Sequence, residues 1–242
     1  VKSDTTRIHE LAELIHVALR DIIDCNGHAI STDVSVGIAI APDHGSEVDQ
    51  LIAKADLALY AAKSEGRRTY RFFLPEMDKR AKARHELATE LRRAVAERAF
   101  QLHFQPLVEL ETGTVAGCEA LLRWIRPDGQ SIPPDEFLPV AERSGLVAPI
   151  GEWAIREACR QFERWEKMGL PPVRIAVNVS PVQFRSPDFR DRLVQALNSS
   201  SMPPQWLELE VTESTVMSRI EEATRTLSWL KGMGLRVALD DF

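Results

Sequence analysis

The sequence predicts an α/β chain in which a short sheet segment precedes an incomplete (β/α)8 barrel of the TIM type. Three observations predict it. Apolar, β-branched runs alternate with amphipathic helical patterns through the second half of the 242 residues, the pattern of parallel strands joined by right-handed crossovers. Four oxygen-bearing side chains, Glu119, Asn178, Glu210 and Asp240, close four separate apolar runs, which is how a barrel gathers ligands onto one face. The strand count stops short of eight, so these residues alone do not close a barrel.

The elements follow in order. Residues Thr5–Ile23 keep helical periodicity, with Ile8, Leu11, Leu14, Ile15 and Leu19 as the apolar face. Val34–Ala41 reads as a strand ended by the turn Pro42-Asp43-His44-Gly45. Val48–Ser64 is a second amphipathic helix stopped by Gly66, and Thr69–Leu74 is a short strand. Residues 1–75 thus form a sheet segment too small to be a complete domain. The charged stretch 76–98, helical over Glu76–Arg98 with Leu87, Leu91 and Val95 on one face, is either a domain junction or the barrel's own first outer helix.

Residues 99–242 then begin the barrel. Gln101–Glu109 and Val115–Arg123 are paired strands around Thr112-Gly113. Helices Asp135–Arg143 and Ile150–Lys167 follow them. Strand Arg174–Val179, helix Phe189–Ser199, strand Trp206–Val211, helix Ile220–Met233 and strand Arg236–Leu239 complete the series. Gly169 and Gly234 stand just past helix ends, where glycine terminates helices.

Composition narrows the function. A net charge of −6 provides no broad cationic face to displace counterions from DNA or RNA, so a nucleic-acid partner is not expected. Cys25, Cys118 and Cys159 lack metal-ligand spacing and read as reduced, core-packed cytosolic thiols. No run is long enough to span a bilayer, so membrane attachment is expected only through segments upstream.

The four strand-end residues carry the chemistry. One such acidic residue is ordinarily a cap or a surface charge. Four on four strands form a hard, oxygen-rich site suited to two Mg²⁺ or Mn²⁺ ions. Asp240 and Asp241 are adjacent, so one can bridge two ions while the other holds the second. Ions roughly 3.5–4 Å apart activate water for in-line displacement at phosphorus. Arg123, four residues beyond Glu119, faces the same way along a strand and either forks onto a phosphate or pairs with a carboxylate. Gln105 either hydrogen-bonds a base or sugar or caps its strand.

These residues resemble a known family. Glu119-Ala120-Leu121-Leu122-Arg123-Trp124 resembles the eponymous motif of EAL-domain cyclic di-GMP phosphodiesterases. It is joined by Phe104-Gln105-Pro106, Asn178-Val179-Ser180, Glu210-Val211-Thr212-Glu213 and Asp240-Asp241-Phe242, in family order over about Arg84–Phe242. The resemblance implies that Glu119, Asn178, Glu210 and Asp240 are metal ligands and that Asp241 binds the second metal, with Glu119, Asp240 and Asp241 catalytic. It further implies that Gln105, Leu121 and Arg123 contact cyclic di-GMP, and that Glu213 steadies a loop beside the metals. Ser35-Val36-Gly37-Ile38-Ala39 and Ala55–Arg67 resemble the C-terminal part of a GGDEF diguanylate cyclase domain, which implies triphosphate contacts at Lys63 and Arg67. A solvated helix C-terminus explains both cations equally well. The Gly-Gly-(Asp/Glu)-Glu-Phe loop is absent, and Arg68 stands where the family usually has Asn, so no cyclase activity is expected of these residues.

The function implied is hydrolysis of cyclic di-GMP to linear pGpG by a two-metal mechanism, in the cytoplasm, within a tandem signalling protein. The alternatives are a degenerate EAL receptor or protein-interaction module, and a bifunctional cyclase/phosphodiesterase. The family's catalytic Lys, a further Glu and a late Gln belong downstream of Asp241, so residues 1–242 by themselves are expected to be inactive. Homodimerisation and inner-membrane anchoring of the parent stay open. An unclosed barrel exposes a strand edge and apolar surface. Residues 1–242 alone should therefore associate or be poorly soluble; a monodisperse monomer with a sharp cooperative melt contradicts this.

Overall fold

The computed structural model describes residues 5–19, 22–25, 28–31, 34–217 and 219–240. It falls into two compact units, Val1–Glu86 and Leu87–Phe242. In the first, α1 (Thr5–Ala18) is followed by β1 (Ile22–Cys25), β2 (His28–Ser31), β3 (Val36–Ile38), α2 (Val48–Ser64) and β4 (Tyr70–Phe72). β1 and β2 pair antiparallel, and β3 pairs with β4 in parallel.

Two expectations for this unit are corrected. The helix expected over Thr5–Ile23 ends at Ala18, and Ile22 and Ile23 lie in β1. The overlooked signal is Asn26-Gly27, a dipeptide suited to two-residue hairpin turns, whose own placement lies outside the described residues. The buried stripe of α1 also differs. Ala12 is buried between half-buried Ile8 and Ile15, at i, i+4, i+7, whereas Leu11 and Leu14 flank this stripe and stay exposed. β3 and β4 are each shorter than expected, because their pairing extends only from Val36↔Tyr70 to Ile38↔Phe72. The helix over Val48–Ser64 forms with the expected bounds. Its fully buried Ala58 and Ala62 are small, and β3 passes so close that a Cβ on Gly37 would collide with the backbone of Ala55 and Leu59.

α3 (Pro75–Glu97) contains the division between the units. In the second unit β5 (Phe100–Val108) and β6 (Val115–Ile125) form an antiparallel hairpin, with β7 (Ser131–Ile132) returning onto β6. Then come α4 (Pro134–Arg143), α5 (Val147–Lys167), β8 (Arg174–Asn178), α6 (Pro181–Phe184), α7 (Phe189–Asn198), β9 (Leu207–Thr212), α8 (Glu213–Met217), α9 (Ile220–Gly232) and β10 (Arg236–Asp240). The sheet order is β10-β9-β8-β6-β5, and β6, β8, β9 and β10 run parallel. This is the expected α/β architecture, a TIM-like sheet open among the described residues. α6, α8 and β7 escape sequence reading because two to five residues hold no measurable period.

Alternation along the strands decides which face is buried. Cys118 and Ala120 of β6, Ile175 and Val177 of β8, and Leu207, Leu209 and Val211 of β9 share one core with the apolar faces of α5, α7 and α9. Each such aliphatic side chain contributes about 1.5–3 kcal/mol on burial. A second core joins Leu87, Leu91 and Ala94 of α3 to Phe100, Trp124 and Phe137. The free thiols of Cys118 and Cys159 are buried, which pushes both up to about 11 and suits packing rather than reactivity. No helix among the described residues is long and apolar enough to cross a membrane.

Gly37→Ala forces α2 away from β3 and should cost about 1–3 kcal/mol, read as a lower denaturation midpoint. An unchanged midpoint contradicts this packing.

Candidate functional site

With one face of each of these strands committed to the helices, the other face carries the candidate polar side chains. Glu119 on β6 stands opposite Gln105 of β5 and Ala176 of β8. Asn178 pairs with Glu210 across β8 and β9. Glu210 in turn lies opposite Ala238 of β10, two residues before Asp240. The four expected residues therefore form a staggered row over four neighbouring parallel strands spaced about 4.8 Å apart.

Local chemistry fixes two of them. Beyond Asn178 the ladder continues through the Val179 N–H, which donates to the Glu210 carbonyl at 2.8 Å. Ser180 then caps α6, accepting from the Gln183 N–H at 3.1 Å, and Pro181 occupies the first helical position. After β9, Thr212 Oγ1 lies 2.8 Å from Thr215 Oγ1 and 3.1 Å from Ser214 Oγ, pinning the entry to α8. β8 and β9 therefore each end within two residues of their functional side chain.

The electrostatics mark this row as a place of conflict. Asn178 Nδ2 donates to Glu119 Oε1 at 2.7 Å. Glu210 has no such partner among the described residues, and its carboxyl is pushed from the usual 4.5 up to about 7. Burial is the leading cause, followed by the charges of Glu119, Asp240 and Glu208, while Arg174 opposes them. Arg174 Nε lies 3.5 Å from Glu208 Oε2, both side chains being largely buried. Sequence reading missed this pair. The available signal was the period of two, which puts Glu208 on the face of Glu210 and Arg174 on that of Asn178.

Other expected positions are distributed as follows. Glu119 is not at a strand terminus, as expected, but is the fifth of the eleven residues of β6. The parallel ladder with β8 stops at Ala120↔Val177, and the rest of β6 runs on beside β5 and β7. Leu121 and Arg123 continue the Glu119 face along that extension. Arg123 forms no ion pair among the described residues; its Nη1 donates to the Leu122 carbonyl at 2.8 Å. Gln105 is exposed, and Glu213 is the exposed first residue of α8. Asp241 lies outside the described residues. Lys63, in the last turn of α2, and Arg67, left-handed at φ 62°, are exposed in the first unit.

The donor set fits a hard divalent cation. Three carboxylates and an amide offer oxygen ligands, and the repulsion borne by Glu210 is what a bound dication would relieve. Among the described residues no three His, Cys, Asp or Glu side chains converge into a ready-made ion cage.

Comparison with known proteins supplies the lineage. The EAL domain model matches residues 88–242, and the diguanylate cyclase, GGDEF domain model matches residues 1–69. An uncharacterized signaling protein of Caulobacter vibrioides is 40% identical over 233 residues, 96% of this chain and 28% of that protein. The bifunctional diguanylate cyclase/cyclic di-GMP phosphodiesterase MucR of Pseudomonas aeruginosa is 39% identical over 232 residues, 96% of this chain and 34% of that protein. A solved structure, the PaMucR phosphodiesterase in its c-di-GMP complex, is 43% identical with a TM-score of 0.62, covering 65% of this chain and 64% of that one. The chain thus spans about a third of the length of these curated relatives.

The Glu210 shift has a defined sign. A carboxyl raised on folding costs nothing while protonated, and stability is lost as pH rises from the ordinary 4.5 through about 7. With a chelator present, Glu210→Gln should stabilise the protein at about pH 8 and leave it unchanged near pH 4. Denaturant melts giving the same difference at both pH values contradict the upward shift.

Proposed function

This chain belongs to the EAL domain family, and from that premise we propose that it carries the phosphodiesterase site of a cyclic di-GMP signalling protein. The reaction adds water across one P–O3′ bond of the cyclic dinucleotide, hydroxide going to phosphorus and the proton to the departing 3′ oxygen, to give linear pGpG. The observation that carries this reading is the row Glu119, Asn178, Glu210 and Asp240 on neighbouring strands, where burial and then the nearby carboxylates push the Glu210 carboxyl up to about 7.

Phosphodiesterases of this family are metal-dependent. Glu119, Asn178, Glu210 and Asp240 would hold one Mg²⁺ or Mn²⁺ ion and Asp241 would complete the place of a second. Bound ions supply an acidified water and neutralise charge on the phosphate. The chain's own residues do the rest. A bound cation would favour the ionised form of Glu210, against the burial and the neighbouring carboxylates that disfavour it. Arg123, a donor-only fork, takes a phosphate oxygen. Gln105 hydrogen-bonds a base or sugar, Leu121 packs against the dinucleotide, and Glu213 steadies the turn into α8. We place the boundary between the two domains within 76–98 and assign to Lys63 and Arg67 the triphosphate contacts of the first. A cytoplasmic location suits the free thiols of Cys118 and Cys159.

The full-length protein containing these residues should convert cyclic di-GMP to pGpG with Mn²⁺ or Mg²⁺. Loss of a direct metal ligand exceeds the cost of losing an outer-shell partner, so Glu119→Ala should lower kcat/KM at least about a hundredfold. Absence of product from the wild type, or full turnover by Glu119→Ala, contradicts the reading.

A further inference from the structure

We propose that the inner face of β5 reads the guanine base, with His103 as its central, specificity-determining contact. This rests on the phosphodiesterase reading above and deepens it. The opposite face of β5 is committed to the core. Phe100 is buried, Leu102 packs against the helices, and the Phe104 ring meets Trp165 edge-on at 5.0 Å. Alternation then turns Gln101, His103 and Gln105 to the side that bears Glu119, and all three are exposed. None of these side chains has a hydrogen-bond partner among the described residues.

The antiparallel register sets this column against a second one. Gln105 faces Glu119, His103 faces Leu121, and Gln101 faces Arg123. Residues two apart on a strand are about 6.8 Å apart, so both columns rise side by side from the carboxylate row.

The two columns differ in chemistry. On β6 a carboxylate, an apolar side chain and a donor-only guanidinium suit a cation, a ring face and a phosphate respectively. On β5 an amide, an imidazole and an amide each combine a donor with an acceptor when neutral. A phosphate oxygen only accepts, whereas the edge of guanine mixes N–H donors with the O6 and N7 acceptors. The β5 column therefore matches the base, and Leu121, opposite His103, provides the apolar surface beneath it.

The test measures kcat and KM for cyclic di-GMP, and binding of cyclic di-AMP and Mn²⁺, in the full-length wild type, His103→Ala and His103→Asn. His103→Ala should raise KM for cyclic di-GMP about tenfold, the worth of one good hydrogen bond, with kcat and Mn²⁺ affinity unchanged. Preference over cyclic di-AMP should shrink by the same factor, and His103→Asn, which keeps a donor and an acceptor, should recover most of it. An unchanged KM, an equal loss for both dinucleotides, or a parallel loss of Mn²⁺ affinity overturns the inference alone. A wild type that binds neither dinucleotide overturns the phosphodiesterase reading and this inference with it.

Discussion

The period of two along four parallel strands governs both the stability of the second unit and the composition of its polar face. Leu207, Leu209 and Val211 are buried against the helices, so Glu208, Glu210 and Thr212 have no choice of side. A slip of one residue in β9 would drive two carboxylates into the apolar core and lift three aliphatic side chains out of it. The hydrophobic core therefore holds the register, and the register assembles the carboxylate row. Neither the row nor its spacing requires any favourable interaction among the carboxylates themselves.

Those interactions are in fact unfavourable. Glu210 carries the strain, penalised first by burial and then by Glu119, Asp240 and Glu208, and only partly compensated by Arg174. Asn178 relieves Glu119 by donating an N–H but has no comparable service for Glu210. A cluster that destabilises its own fold, held in place by a core that does not need it, is the pattern expected where function overrides local stability. The proposed cation supplies the missing charge balance, which is why the row and the EAL lineage support the same chemistry.

Much of this was legible in the residues because the long elements have strong periods. α2 appears with its expected bounds, and the strands bearing Asn178, Glu210 and Asp240 agree within a residue or two. What escaped had a physical reason in each instance. β1 reads as the end of a helix because Ile22 and Ile23 continue an apolar pattern, although Asn26-Gly27 marks a hairpin. Glu119 reads as a strand-end residue because an apolar run closes just before it, whereas pairing with β5 and β7 carries β6 on past it to Ile125. Arg174 and Glu208 escape because alternation gives the face of each but not that their strands, distant in sequence, are neighbours. The inward turn of His103 and Gln101 was within reach, since it follows from Gln105 by alternation alone.

The proposed chemistry turns on a divalent cation seated among Glu119, Asn178, Glu210 and Asp240. Anomalous scattering from crystals of the full-length protein grown with Mn²⁺ tests it most directly. The expected result is a manganese peak bounded by oxygens of those four side chains, with the Asn178 carbonyl oxygen facing the ion. Manganese bound elsewhere, or a carboxylate row without metal at saturating Mn²⁺, would contradict it.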